Sequence, residues 1–321
     1  MSVHSSKLPQ GRYLITGGAG FIGSHLADRL LALQCQVVCV DNFLTGRPEN
    51  IRHLLRDSAF ELIEKDIIEP MKVSGELAGI LHFASPASPV DYAKYPIETL
   101  RVGAIGSDHI LALAREKSCP VLVASTSEIY GDPLEHPQRE SYWGNVNSIG
   151  PRGCYDESKR YLEAVTMAYH RTYGVETRMI RIFNTYGPRM RTDDGRVVPN
   201  FCIQAIKHED MTVYGDGKQT RSFCYVSDLV EGILRVFIQK DPYPFNLGNP
   251  NETTILEFAQ RIIQLSKANS KIIHQNLPQD DPKRRCPDIT RAKELLGWAP
   301  EVALADGLNQ TYAYFQSKAH A

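Results

Sequence analysis

The sequence predicts an α/β protein built on a parallel β-sheet with helices on both faces, and three observations support this. A short apolar run, Tyr13 to Thr16, leads into a glycine-rich turn and then into a helical pattern. Two further apolar runs, 36–40 and 120–124, are bounded by polar residues or proline, as buried strands of a parallel sheet are. A glycine turn between a first strand and a first helix is typical of a Rossmann-type, doubly wound sheet.

The glycine turn contains Gly17, Gly20 and Gly23. Gly17 allows a tight turn, Gly20 lets the backbone approach a pyrophosphate, and Gly23 allows the helix to pack closely on the strand. The spacing differs from the commoner Gly-x-Gly-x-x-Gly pattern, and glycines also form ordinary turns. The turn therefore indicates a dinucleotide site only in combination with the features that follow it.

The second apolar run ends in Asp41, where a carboxylate can accept hydrogen bonds from the ribose of a dinucleotide. A carboxylate here repels a ribose 2'-phosphate, so the sequence favours NAD over NADP. Asp66 and Ile67 follow the next strand-like stretch and are expected to flank the adenine. An exposed acidic residue at a strand end is the alternative interpretation of Asp41.

Thr126, Ser127 and Glu128 directly follow the apolar run 120–124. Residues at the carboxyl end of such a strand face the ligand crevice of the sheet. Two hydroxyls and a carboxylate at this place can hold a polar substrate such as a sugar. The alternative is a loop whose hydroxyl groups bond only to the backbone.

Tyr155 and Lys159 are four residues apart at the start of a predicted helix and therefore share one helix face. A free phenol has a pKa of about 10 and becomes a base at neutral pH only when cations stabilise the phenolate. Lys159 and a positively charged nicotinamide can supply that stabilisation. Such pairs also occur by chance on helix surfaces, so the order of all the motifs carries the argument.

The composition gives no reason to expect a macromolecular or membrane partner. A net charge of −1 over 321 residues does not predict binding to nucleic acid or to an anionic membrane. The seven cysteines form no zinc-type pairs, so we expect no metal and a reducing, cytoplasmic location. The stretch Met1 to Gln10 is polar and no run of about 18 apolar residues occurs, so we expect no signal peptide or membrane anchor.

At about 150 residues per domain, the length suggests two lobes. We predict a dinucleotide-binding Rossmann-type lobe at residues 1–184 and a smaller, mixed α/β substrate lobe at residues 185–321. The boundary falls near the point where the strand and helix alternation becomes irregular. Residues 226–247 are expected to return to the main sheet.

Together, in this order, the motifs resemble the extended short-chain dehydrogenases that act on nucleotide sugars. The resemblance covers Tyr13 to about Phe315 and is greatest to the UDP-glucuronic acid decarboxylases, also called UDP-xylose synthases. The segments that carry it are the glycine turn, 41–47, 82–89, 124–128, 155–159, 181–189 and 285–288.

The resemblance implies an oxidation triad of Thr126, Tyr155 and Lys159. It also implies that Ser127, Glu128 and Arg285 form the group that distinguishes decarboxylases from their relatives. Similar 4-epimerases usually lack the carboxylate, and 4,6-dehydratases carry Asp at the position of Ser127. The sequence departs from the family at Val102-Gly103, where a Thr-Asn pair is frequent, and at Cys286, where Lys is usual.

The resemblance further assigns residues to the two ligands. The implied NAD-binding residues, besides Tyr155 and Lys159, are Gly17, Gly20, Phe21, Ile22, Gly23, Asp41, Asn42, Phe43, Thr45, Gly46, Asp66, Ile67, Ala84 and Thr185. The implied substrate-binding residues are Tyr92, Arg101, Glu128, Asn184, Arg196, Tyr214, Arg221 and Arg285.

The implied reaction is the NAD-dependent decarboxylation of UDP-glucuronic acid through a 4-keto intermediate, with UDP-4-keto-pentose or UDP-xylose as product. The alternatives are a 4-epimerase or 4,6-dehydratase of the same family, or an NAD-binding protein without catalysis. Predicted helices at 96–117 and 155–173 carry apolar stripes that, as in similar enzymes, would pair in a homodimer. Those stripes could instead only cover the sheet.

Overall fold

The computed structural model describes residues 8–276 and 284–319, so most of the polar N-terminal stretch lies outside it. The strands are β1 Arg12–Thr16, β2 Gln36–Asp41, β3 Phe60–Glu64, β4 Gly79–His82, β5 Val121–Thr126, β6 Thr177–Ile182, β7 Thr185–Tyr186, β8 Met211–Tyr214, β9 Thr220–Ser222, β10 Cys224–Tyr225, β11 Phe245–Leu247, β12 Glu252–Thr254, β13 Ile272–Gln275 and β14 Arg284–Arg285. The helices are α1 Phe21–Ala32, α2 Pro89–Lys94, α3 Pro96–Arg101, α4 Ser107–Glu116, α5 Gly153–Tyr173, α6 Val197–Ile206, α7 Val226–Ile238, α8 Ile255–Ser266, α9 Thr290–Leu296 and α10 Leu304–Ala319.

A seven-stranded parallel sheet forms the centre of the molecule, in the order β11-β6-β5-β4-β1-β2-β3. The order runs outward from β1 in both directions, which is the topology of a Rossmann-type doubly wound sheet and confirms the predicted fold class. Strands β1, β2 and β5 are buried along almost their whole length, in agreement with their continuous apolar sequences. Ligands bind in such sheets outside the carboxyl ends of the strands, near the point where the order reverses.

Part of the second half of the chain belongs to this sheet. Strand β11 pairs in parallel with β6, and α7 packs against α1. A single hydrophobic cluster includes Leu26 of α1, Phe258 of α8 and Phe315 of α10. The division near residue 184 therefore crosses a continuous core, and it stays a prediction about domain organisation.

Smaller sheets lie in the C-terminal half. Strands β12, β9 and β14 form one of them, with β9 in the middle. Arg221 of β9 and Arg285 of β14 are partners in this register. Two guanidinium groups from segments far apart in sequence are thereby placed near the carboxyl ends of the main sheet.

A π-helical segment, Val102–Gly106, directly connects α3 to α4. Gly103 and Gly106 are both buried in this segment. A Cβ atom would lie 2.6 Å from Ser158 Cβ at Gly103 and 2.7 Å from Ile67 Cδ1 at Gly106. The glycines therefore allow close packing against α5 and against the loop after β3. Among the described residues, no helix has the length and apolar character needed to cross a bilayer.

Candidate active site

The glycine turn between β1 and α1 leaves no room for larger residues at two of its positions. Gly17 has a φ of +70°, and a Cβ atom there would lie 2.8 Å from the Ala84 backbone nitrogen. At Gly23 a Cβ atom would lie 2.2 Å from the Gly17 carbonyl oxygen. At Gly20 the same oxygen is 3.1 Å away, and apart from the adjoining residues no other atom of the described chain lies within 4 Å. Gly20 therefore presents its open side to the cleft.

A cleft of about 520 Å³, including the part open to solvent, lies above this turn at the carboxyl ends of β1, β2 and β4. Phe21, Ile22 and Gly23 begin α1, whose N-terminus adjoins the turn. Thr185 is buried and its hydroxyl donates to the Phe183 carbonyl, and neither Thr185 nor Phe43 lines the cleft. The predicted cofactor residues that line it are Gly17, Gly20, Asp41, Asn42, Thr45, Gly46, Asp66, Ile67 and Ala84.

Asp41 is held in place by backbone donors at the end of β2. Its two carboxylate oxygens accept hydrogen bonds from the Ala19 and Phe43 amides, both at 2.9 Å. Burial raises the pKa of Asp41, and the backbone donors act in the opposite direction. Gly46 lies against this carboxylate, since a Cβ atom there would be 2.5 Å from Asp41 Oδ1. The carboxylate is thus fixed in the cleft where a dinucleotide ribose would lie.

Thr126 and Tyr155 meet at the carboxyl end of β5. Both are buried, and the Thr126 side chain forms a hydrogen bond with Tyr155 that lowers the phenol pKa. Burial has the larger effect and raises the pKa of Tyr155 to about 12. Tyr92 stacks on Tyr155, with ring centroids 5.2 Å apart and an interplanar angle of 11°. Three residues predicted at the site therefore share one wall of it.

Lys159 lies one helical turn after Tyr155 on α5. Its ammonium group donates to the Ala124 carbonyl at 2.9 Å and lies 5.8 Å from the centroid of the Tyr155 ring. Burial lowers the pKa of Lys159 to about 8. The bond to Ala124 fixes the ammonium group beside β5, and its positive charge favours a phenolate at Tyr155.

Glu128 lies in the short turn after β5 and contacts two guanidinium groups. Arg285 Nη2 is 3.2 Å from Glu128 Oε2, and Arg152 makes a second ion pair with the same oxygen. Burial opposes ionisation of Glu128, but the positive charges of Arg285, Arg152 and Arg221 outweigh it and lower the pKa. Glu128 is therefore a carboxylate at neutral pH.

Arg285 also holds the backbone of this turn. It donates to the carbonyls of Ser127 and Gly131, on both sides of Glu128. Arg285 is 2% exposed, and burial lowers its pKa. The structure thus brings together the three residues that were expected to distinguish decarboxylases, Ser127, Glu128 and Arg285.

Two charged residues of this cluster were missed by the sequence analysis, Arg152 and Asp156. Asp156 is 6% exposed, and its Oδ1 has no hydrogen-bond partner within the part of the chain that the structure describes. Burial, followed by the charge of Glu128, raises the pKa of Asp156 to about 7. Its position next to Tyr155 in sequence was a usable signal, whereas the loop that carries Arg152 contains no recognisable motif.

Some of the remaining predicted substrate residues interact with this cluster, and others do not. Burial opposes the charge of Arg196, but its ion pair with Asp194 and the nearby Tyr155 outweigh burial and raise the pKa of Arg196. The positive charge of Arg221 contributes to the lowered pKa values of Glu128 and Arg285. Asn184 lies in the short connection between β6 and β7. Arg101 and Tyr214 are exposed, and neither makes a hydrogen bond or ion pair with this cluster in residues 8–276 and 284–319. The structure therefore shows no direct contact of these two with the cluster, and their roles stay predictions.

A strand-turn-helix cleft beside a buried Tyr and Lys pair defines the class of short-chain dehydrogenases. The family model described as GDP-mannose 4,6 dehydratase matches residues 14–311. UDP-glucuronic acid decarboxylase 4 of Arabidopsis thaliana is 54% identical over 94% of this chain and 69% of its own length. UDP-glucuronic acid decarboxylase 1 of Danio rerio is 53% identical over 97% of this chain and 74% of its own length.

Two solved structures have the same fold. UDP-glucuronic acid 4-epimerase from Bacillus cereus, in complex with UDP-glucuronic acid and NAD, aligns with a TM-score of 0.84 at 25% identity. It covers 96% of this chain and 99% of its own. dTDP-glucose 4,6-dehydratase from Streptomyces venezuelae, with NAD bound, aligns with a TM-score of 0.88 at 26% identity over 96% and 98% of the two chains. The chain belongs to the GDP-mannose 4,6 dehydratase family of extended short-chain dehydrogenases and, within it, to the group of the UDP-glucuronic acid decarboxylases.

Proposed function

We propose that this protein is an enzyme that decarboxylates UDP-glucuronic acid with NAD as cofactor. The observation that carries the proposal is the contact of Glu128 with Arg285 directly beside Thr126 and Tyr155. An oxidation site and a site for a carboxylate-bearing sugar are thereby adjacent. The identity of more than half of all residues to UDP-glucuronic acid decarboxylases supports the same reaction.

The residues present fit NAD. The open side of Gly20, the N-terminus of α1 and the Asp41 carboxylate offer a pyrophosphate and a ribose the contacts that they need. When bound, NAD accepts a hydride from C4 of the sugar and can return it. We propose that the other predicted residues that line the cleft, including Asn42, Thr45 and Ala84, also contact NAD.

The oxidation step depends on Tyr155. Its phenolate removes the proton of the sugar 4-hydroxyl, and Thr126 donates a hydrogen bond to the same oxygen. Because burial raises the pKa of Tyr155 to about 12, the base form requires nearby positive charge. Lys159 and the nicotinamide ring supply that charge. The product of this step is a ketone at C4.

The ketone makes decarboxylation possible, because the carboxylate on C5 is then β to a carbonyl. The bond from C5 to the carboxylate breaks, carbon dioxide leaves, and the electron pair is delocalised into the carbonyl as an enolate. The donors at Thr126 and Tyr155 stabilise that oxyanion, and C5 then takes a proton. The product is UDP-4-keto-pentose, or UDP-xylose if the hydride returns to C4 before release.

Glu128 and Arg285 act on the group that leaves. Arg285 positions the carboxylate of the substrate. Glu128, supported by Ser127, orients the sugar ring, and its negative charge disfavours the ionised form of the substrate carboxylate. Arg196, Arg221 and Asn184 are proposed to hold the diphosphate, and Tyr92 to pack against the sugar. Arg101 and Tyr214 have weaker support because both are exposed and make no hydrogen bond or ion pair with the cluster in the part of the chain that the structure describes.

The test is an NMR time course with UDP-glucuronic acid labelled with ¹³C at C6, in the presence of NAD. We expect the label to appear as carbon dioxide and bicarbonate in the native protein. In Glu128→Gln we expect this release to fall by about a hundredfold or more. Glu157→Gln is the matched control, because Glu157 lies on the same helix as Tyr155 and is half-exposed.

Retention of the label in the sugar would contradict the proposal. Labelled UDP-galacturonic acid would identify a 4-epimerase. Because glucuronate has no C6 hydroxyl that can leave as water, a parallel sample with UDP-glucose tests for a 4,6-dehydratase. The resemblance of the fold to both kinds of enzyme makes this comparison necessary. Tight binding of NAD without any turnover would support a non-catalytic protein.

We further propose that the protein is a homodimer located in the cytoplasm. The face made by α3, the π-helical segment and α5 carries exposed apolar side chains at helical spacing, among them Ile97, Ile105 and Tyr161. Helices of this kind can pair across a two-fold axis as a four-helix bundle. The absence of cysteine pairs supports a reducing compartment.

A further inference from the structure

Three side chains of different chemistry meet outside the active site. The ligand atoms of His136, Glu252 and Cys286 all lie within 4.8 Å of one another. His136 Nε2 is 2.9 Å from Glu252 Oε2. An imidazole nitrogen, a carboxylate oxygen and a thiol sulfur are the three donor types that Zn²⁺ takes in proteins.

Two hydrogen bonds between Gln138 and Cys286 join the segments that carry two of these residues. The amide of Gln138 donates to the Cys286 carbonyl, and the amide of Cys286 donates to Gln138 Oε1, both at 2.9 Å. His136 is two residues before Gln138 in the same loop. The loop that carries His136 is thus joined to the strand end that carries Cys286, and the join does not depend on a metal.

Glu252 is held by the same small sheet. It begins β12, which pairs with β9, and β9 pairs on its other side with β14 directly before Cys286. Its Oε1 accepts a hydrogen bond from the Thr220 hydroxyl, which leaves Oε2 directed to His136. The three donors therefore come from segments whose relative positions are already set, so binding would cost little ordering entropy.

We propose that His136, Glu252 and Cys286 form a Zn²⁺ site with an open fourth coordination position. The side chains of His136 and Glu252 are 28% and 25% exposed, which gives an ion access from solvent, while Cys286 is buried beneath them. A thiolate ligand favours Zn²⁺ over Mg²⁺ or Ca²⁺, which prefer oxygen ligands. The bound ion would tie the loop at 135–138 to the strand that carries Arg285.

The site is separate from the catalytic cluster although Arg285 and Cys286 are neighbours in sequence. Successive side chains of an extended strand point to opposite sides. The Arg285 guanidinium contacts Glu128, whereas Cys286 Sγ lies 3.3 Å from the Pro250 carbonyl. The proposal therefore does not rest on the proposed reaction, and loss of the ion is expected to leave the NAD cleft intact.

The competing explanation is an ordinary ion pair of His136 with Glu252 and a cysteine that only fills space. The test uses the full chain after removal of metals with a chelator. Titration with Co²⁺, followed by absorbance, is expected to show one bound ion per chain with a thiolate charge-transfer band in the near ultraviolet. Calorimetry with Zn²⁺ then gives the affinity.

Cys286→Ser is expected to remove the charge-transfer band and to weaken Zn²⁺ binding about tenfold or more. Cys119→Ser is the matched control, because Cys119 is also a buried free cysteine but lies before β5. It should keep both the band and the affinity. His136→Gln, at a more exposed position, should lower the affinity in the same way and serves if Cys286→Ser does not fold.

The proposal fails if no stoichiometric binding occurs, if the band is absent, or if Zn²⁺ affinity is unchanged in both variants. Thermal unfolding gives an independent measurement. Because a ligand that binds only the folded state stabilises it, Zn²⁺ should raise the unfolding midpoint of the native protein and of Cys119→Ser. The midpoint of Cys286→Ser should rise clearly less at the same Zn²⁺ concentration.

Discussion

Tyr155 is buried between Tyr92 and Thr126, with the Lys159 ammonium group one helical turn away. Replacing Tyr155 by Phe keeps the stacked ring and removes only the hydroxyl. We expect kcat for decarboxylation to fall by about 10² to 10⁴, because the proton of the 4-hydroxyl loses its acceptor. The measurement is the initial rate of carbon dioxide release with saturating substrate and NAD.

The control for this variant is Tyr173→Phe. Tyr173 is the last residue of the same helix and is half-exposed. Its rate should equal that of the native protein. Full activity in Tyr155→Phe would remove Tyr155 from the reaction.

Asp156 gives a prediction for the dependence of stability on pH. Burial raises its pKa to about 7, above the value of about 3.9 expected in the unfolded chain. The folded state therefore binds the proton more tightly, and this contribution to stability is present at low pH and lost as the pH rises through about 7. We expect Asp156→Asn, which carries no charge, to gain stability relative to the native protein by up to about 3 kcal/mol between pH 5 and pH 8.

Urea unfolding of the protein without ligands at the two pH values measures this difference. Glu157→Gln removes a neighbouring, half-exposed carboxylate and should show no comparable change. A constant difference between Asp156→Asn and the native protein across this range would show that Asp156 titrates normally.

At the scale of elements, variants of the turn between β1 and α1 can separate an effect on NAD binding from an effect on stability. A Cβ atom at Gly23 would lie 2.2 Å from the Gly17 carbonyl, so Gly23→Ala should lower the unfolding midpoint clearly. At Gly20 the nearest atom, the same oxygen, is 3.1 Å away, a close contact but a much milder one, so Gly20→Ala should lower the midpoint less. We expect Gly20→Ala instead to weaken NAD binding strongly, because its methyl group occupies the side open to the pyrophosphate.

Calorimetry with NAD and thermal unfolding on the same samples provide the two readouts. Unchanged NAD affinity in Gly20→Ala would show that the pyrophosphate does not approach this residue. Equal stability of both variants would contradict the packing argument for Gly23.

The elements also show which parts of the molecule were predictable. Strands β1, β2 and β5 were expected because each is a continuous apolar run, and the glycine turn followed from its spacing. The contacts of Glu128 were only partly expected. Arg285 was assigned through a family motif, whereas Arg152 reaches Glu128 from a loop whose path depends on tertiary packing.

The pairing of Tyr155 with Lys159 followed from helical spacing alone, since both lie on α5. The orientation of Arg101 could not be predicted in this way, because nothing in its local sequence fixes which side of α3 faces the site. The local sequence also does not explain why Gly103 and Gly106 lie in a helix. They accommodate Ser158 and Ile67, contacts that join residues distant in sequence.

At the scale of the whole molecule, the exposed apolar face of α3, the π-helical segment and α5 predicts self-association. Ile105 is 46% exposed in the middle of this face. A charge there would have to be buried in a dimer interface, so Ile105→Asp should produce monomers. Light scattering on a gel-filtration column should give twice the chain mass for the native protein and the chain mass for the variant.

Ile149→Asp is the control, because Ile149 is 96% exposed but lies in the loop before α5 rather than on this face. It should remain dimeric. A native protein that runs as a monomer at micromolar concentration would contradict the dimer proposal.

Arg285 reaches across from a short C-terminal sheet to hold the carbonyls of Ser127 and Gly131, on the two sides of Glu128. The charge environment of Glu128 is therefore completed by the last third of the chain, long after the Tyr155 helix has been synthesised. A polypeptide that stops before residue 284 would lack Arg285 and also α9 and α10, whose apolar side chains share one hydrophobic cluster with α1. The acidic turn and the core beneath the glycine turn are thus both completed only when the last residues of the chain have been made.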